Sequence, residues 1–133
     1  MSDDEFVRAF ESCELSEDAL HHRDHIRLAA IYVSRLGPAE AAGRFKASLR
    51  RFAGHVGKSG KYHETMTVAW MHLVAYSPPS ESAKLMDKGY LGRFYSDDLL
   101  QSDAARTQFV EPDLAPLPAE REKAGACRTR VVK

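Results

Sequence analysis

"HHRDHIRLAAIYVSRLGPAEAAGRF", His21 to Phe45, is the stretch that decides the fold. Up to Leu36 its apolar residues recur at helical spacing. Gly37-Pro38 then supplies a glycine that ends one helix and a proline that starts another, since a first helical turn has no use for the missing N–H. Upstream, Ser16-Glu17-Asp18 offers an N-cap and acids for a first turn, so a long helix is expected over residues 17–36. Downstream, Ala41, Ala42, Phe45, Leu49 and Phe52 share one face while Arg44, Lys46, Arg50 and Arg51 fall away from it, which predicts a second helix over 38–54.

Gly54, Gly57 and Gly60 mark a loop, and a third helix is expected over 61–76, closed by Ser77-Pro78-Pro79 because proline disfavours helix in the residue before it. Shorter helical pieces follow Ser80, Ser96 and Ser102, and "EPDLAPLP" at 111–118 should be extended. The expected fold is all-α: three main helices in an up-down-up bundle with short C-terminal helices packed across it. Residues 1–118 form its single domain, and 119–133 a polar, basic, flexible tail.

At 133 residues the chain can bury a real core without a metal or disulfide to staple it, so a metal would be functional. Lys plus Arg and Asp plus Glu balance at 19 each, which argues against a nucleic-acid partner. Charge is nevertheless segregated. Seven acids lie in residues 3–18, and six bases and no acid lie between Glu40 and Glu64. The basic run reads as a solvated face partly neutralised by the acidic segment. Cys13 and Cys127 form no C-x-x-C pair, so no zinc ribbon or redox motif is signalled. An acidic start and the absence of a long apolar run point to no membrane and a cytoplasmic location. "GKSG" lacks the spacing of a phosphate-binding loop.

Three of six histidines fall within His21 to His25. At about 100° per residue, His25, Ile26, Ala29 and Val33 all lie within about 60° of His22, so two imidazoles share the apolar stripe. The third helix repeats this: His63 and Thr67 lie on its stripe with Met66 and Trp70, and Glu64 at its flank. Trp70 is therefore expected beside Phe45, Leu49 or Phe52. Short connections make the first and third helices run the same way, which brings His22, His25 and His63 to one end of the bundle, with His55 reaching that end from the second helix.

Bundles place metal and cofactor sites at such ends. His22, His25 and His63 are thus candidate ligands for zinc or iron with open coordination positions, Glu64 a candidate ligand or general base, and Tyr62 and Thr67 candidates to orient substrate. The alternative is that these histidines are satisfied core residues. Helix N-termini also carry partial positive charge, which suits an anion at least as well as a cation.

The blocks "HHRDHIRLAAIYVSRLG", "GKYHETMTVAW" and "EPDLAPLP" resemble a set of small bacterial all-helical proteins sharing a His-x-x-His-hydrophobic-Arg block, a Tyr-His-Glu-Thr block and a Pro-Asp-Leu-x-Pro-Leu-Pro segment. The resemblance spans about residues 16–118 and implies a helical fold whose shared feature is carried by His22, His25, Arg27, Tyr62, His63, Glu64 and Thr67. It implies no activity. Ala29 and Ala30 stand where a tryptophan is expected nearby in the group, a departure that either widens the pocket or leaves it unformed.

Two function classes follow. One is a small enzyme dependent on a divalent metal, zinc or iron, acting on a small polar or anionic substrate. The other is a non-catalytic module whose histidines are structural or bind an anion, and which takes a small ligand or a partner. A homo-oligomer is compatible with either.

Overall fold

The computed structural model describes residues 2–118, and the chain is helical with no strand among them. The tail expected over 119–133, with Cys127, lies outside the described residues. The first helix sits in what the sequence reading left as an acidic segment. Ser2 Oγ accepts the Glu5 N–H at 3.1 Å and the Glu5 carboxylate accepts the Ser2 N–H at 2.9 Å, a reciprocal cap that starts α1, Asp3–Glu11. Phe6 and Phe10, one turn apart, are buried, while Asp3 and Asp4 pair with Arg27 at 2.9 Å and Arg35 at 2.6 Å.

The helix expected over 17–36 is two pieces. A single 3₁₀ turn covers Glu17–Ala19, Leu20 leaves helical geometry at φ −114°, and α2 runs His22–Leu36. The break falls there because Asp24 accepts the His21 N–H at 3.0 Å, starting a second helix at the histidines. Gly37, at φ +86°, ends α2 in a conformation that side chains rarely adopt, and Pro38 opens α3, Pro38–His55. A turn at Ser59–Lys61 precedes α4, Glu64–Tyr76, which begins later than expected because His63 is its cap: His63 Nδ1 accepts the Met66 N–H at 3.1 Å.

The C-terminal pieces are 3₁₀ turns at Pro79–Met86 and Lys88–Arg93, then α5, Asp97–Leu100, and α6, Asp103–Thr107. Ser96 and Ser102 cap α5 and α6, each hydroxyl accepting a backbone N–H at 3.2 Å. Residues 111–118 form no helix and are pinned by side chains: Asp113 accepts the Ser96 N–H at 2.8 Å and its O–H at 2.6 Å, and Tyr95 donates to the Val110 carbonyl at 2.7 Å. No helix among the described residues is long and apolar enough to cross a membrane.

Apolar burial divides into two cores. One gathers Phe6, Phe10, Leu28, Tyr32, Phe45 and Phe52 between α1, α2 and α3, with the Phe10 ring 6.0 Å from Phe45 and 5.8 Å from Phe52. The other gathers Ile26, Leu73, Tyr90, Leu91, Tyr95 and Leu100 between α2, α4 and the C-terminal pieces. α4 buries Glu64, Thr65, Thr67, Ala69, Met71 and Leu73, positions spread around most of its circumference, because α2, α3 and α6 all pack on it. A single-stripe reading of α4 therefore fails. Trp70 is half-buried against the second core and the edge of His22, with ring centroids 4.6 Å apart, and not beside the phenylalanines of the first.

Candidate functional site

Between the two cores lies a cavity of about 650 Å³. Its floor includes Phe45, Phe52 and Met71 from the first core and Ile26, Leu91 and Leu100 from the second. Ala29 lines it too, where a bulkier side chain would fill it. The polar side of the lining is His22, His25, Tyr62, His63 and Thr67, so five of the six predicted site residues meet at one cavity. Glu64, the sixth, is not part of its lining.

The histidines have different duties. His63 is 9 % exposed and has both ring nitrogens engaged. Since Nδ1 accepts from Met66, Nε2 carries the proton and donates to the Leu100 carbonyl at 2.7 Å. Leu100 ends α5, so this bond satisfies a carbonyl that the short helix leaves over and ties α5 to the cap of α4. His22 donates from Nε2 to the Leu85 carbonyl at 2.8 Å, fastening the Pro79–Met86 turn to the start of α2. His25 stands apart: neither ring nitrogen has a hydrogen-bond partner among the described residues. Burial foremost, and the neighbouring His22 next, lower its pKa from the ordinary 6.5, against the opposing pull of Asp24.

The three imidazoles thus share a cavity without forming a ligand set. Among the described residues no group of three or more His, Cys, Asp or Glu side chains is placed to hold a metal ion. The reason is local: both nitrogens of His63 and one of His22 are engaged by the backbone. His55 is exposed and does not line the cavity, and His21 is an exposed helix cap.

Glu64, expected as ligand or base, turns instead to α3. Its carboxylate accepts from Lys46 at 2.7 Å, Tyr62 at 2.8 Å and Arg50 at 3.3 Å. Burial works against its ionisation, but the bonds from Lys46 and Tyr62 and the charges of Lys46 and Arg50 outweigh it and hold the carboxyl below its usual range. An ionised, fully bonded carboxylate is a poor proton acceptor. Tyr62, desolvated and bonded to Glu64, is pushed up to about 12, which makes it a donor and no base. Thr67 donates to the His63 carbonyl at 2.8 Å. The basic face of α3 is correspondingly partnered, with Arg44 3.7 Å from Glu11 and Arg51 donating to the Glu11 carbonyl at 2.9 Å.

Sequence reasoning missed the rim. Lys58, Lys61, Lys88, Glu17 and Asp97 also line the cavity. Lys58 is 3.7 Å from Glu17, whereas Lys61 and Lys88 make no ion pair among the described residues. Lys61 was visible as part of a basic run, but nothing in the spacing links it to Lys88, which a C-terminal turn carries over the same opening. No protein-family model, curated protein or solved structure matches the chain. Function has to be read from the cavity.

Proposed function

We propose that this protein is a small-ligand binding module that seats the apolar body of a small molecule in the cavity between its two cores. The observation that carries this reading is the cavity itself: about 650 Å³, walled by phenylalanine, leucine, isoleucine and methionine, with His22, His25, Tyr62, His63 and Thr67 among the polar part of its lining. Ligand sites have this size and composition, apolar walls and a few convergent polar groups. The engagement of His63, His22 and Glu64 by protein partners supports binding over catalysis. The lining also favours an up-down-up course for the main helices, since the first turns of α2 and α4 and the last turns of α3 meet there.

A neutral apolar probe tests it. N-phenyl-1-naphthylamine should bind at a single site and quench Trp70, the one tryptophan, which lines the cavity. Ala53→Phe, which fills the cavity from α3, should weaken binding about tenfold or more while leaving the fold intact. Absence of binding, or binding unchanged by Ala53→Phe, overturns the reading.

The metal-dependent enzyme is the second reading, and one observation favours it: His22 and His25 share the cavity and each has a ring nitrogen without a hydrogen-bond partner among the described residues. Stoichiometric zinc or iron in protein purified without a histidine tag, lost in His25→Ala, would put it first.

A further inference from the structure

We propose that the ligand is an amphiphilic anion, a carboxylate on an apolar body, whose head sits at His25 in the cavity that Lys61 and Lys88 also line. The inference rests on the cavity's being a ligand site and adds the chemistry of the head group. Three features agree on its sign. His25 is the one cavity imidazole without a hydrogen-bond partner among the described residues. Lys61 and Lys88 line the same cavity and make no ion pair among the described residues, while Lys58 lies 3.7 Å from Glu17. The cavity also meets the first turns of α2 and α4, whose fields favour negative charge. Of the acids on the lining, Glu17 is paired and Asp97 is exposed on α5, so neither supplies a carboxylate to His25.

An apolar body without a head would leave His25 unpartnered under an apolar cover, which costs more than leaving it wet. A carboxylate supplies the acceptor. One oxygen accepts a hydrogen bond from a ring nitrogen, and the ring, if it binds a proton from solvent as the anion arrives, makes that bond a charge-assisted one. The groups around His25 bear on that proton as follows. His22, on the same helix, opposes it and Asp24 favours it; Lys58, Lys61, Lys88, Glu17 and Asp97 are the other charged residues on the lining. Tyr62 and His63, from the α3 to α4 connection and the cap of α4, contribute hydrogen-bonding groups already in use. The bound anion is the new term, adjacent to the ring and of opposite sign.

Displacement of N-phenyl-1-naphthylamine by decanoate, decanol and decylamine separates this proposal from the reading beneath it. Decanoate should bind about tenfold more tightly than either other probe, the difference expected for a hydrogen bond to a charged group. Its affinity should rise as pH falls toward the imidazole range, with proton uptake visible as a buffer dependence of the calorimetric heat. His25→Gln should abolish the proton uptake and leave decanoate binding no more tightly than decanol binds the same variant. Lys61→Gln with Lys88→Gln should narrow the advantage of decanoate over decanol and flatten its salt dependence. If decanol binds and decanoate has no advantage, or if the advantage survives His25→Gln, the anion assignment falls and the binding module stands. If neither binds, both fall.

Discussion

Glu64 keeps its charge with 7 % of its side chain exposed because three donors surround it. The donors are not equivalent. Lys46 is the closest and the less exposed of the two cations, whereas Arg50, with 55 % of its side chain exposed, can return to water. Lys46→Met should therefore cost about 2 to 3 kcal/mol, as loss of a hydrogen bond to a buried charge, and Arg50→Met under about 1 kcal/mol, as for an exposed pair. Urea denaturation of both variants checks the order, and a loss for Arg50→Met as large as that for Lys46→Met would mean that Arg50 supports the charge as much as Lys46 does. The sequence put Glu64 at the flank of the apolar stripe and Lys46 and Arg50 on a basic run, but not opposite each other. Helical angles fix directions on one helix and leave the facing of two helices open, so the pairing of Glu64 with Lys46 and Arg50 has no signature in the spacing.

Caps rather than stripes set where the elements begin, and the sequence carried some caps more plainly than others. Ser96 and Ser102 were legible because serine before a short acidic helix has a standard use. Ser2 and Glu5, also a serine and glutamate three apart, carry the signature of a capping box for α1, set among Asp3, Asp4 and Glu5, whose charge alone specifies no helix. His63 was not readable, since a histidine cap has no spacing signature. Its double role predicts a separation of effects. His63→Ala should cost about 2 to 3 kcal/mol by losing the cap and the bond to Leu100, whereas His63→Asn, which restores a cap, should cost about 1 kcal/mol less. Amide exchange should show both variants opening around α5 and only the alanine variant opening the first turn of α4. Identical exchange patterns would remove the cap from His63's account.

At the scale of the molecule, the three main helices were legible within a few residues, while α1 and the division into two cores were not, because the second core depends on the chain after Pro79 folding back over α2 and α4. That return turns the histidine-bearing ends of the helices into the wall of a cavity, and it leaves His25 in a half-buried place where charging is disfavoured. The consequence is a stability that depends on pH above the carboxylate range. His25 has a pKa below 6.5 when folded and the ordinary 6.5 when unfolded, so between those values the unfolded chain binds the extra proton. Stability is then level with respect to His25 above about pH 6.5, declines as pH falls toward the folded value, and stops responding to His25 below it; the decline is at most about 1.4 kcal/mol per pH unit for one proton. Carboxylates with lowered values, Glu64 foremost, contribute only at lower pH, where they begin to protonate. Urea denaturation of the ligand-free protein should show the decline starting near neutrality, and His25→Gln should remove that first part while keeping the lower, carboxylate part. An unaltered profile in His25→Gln would mean that the ring charges as readily in the folded chain as in the unfolded one, and that the cavity wall around it is wet.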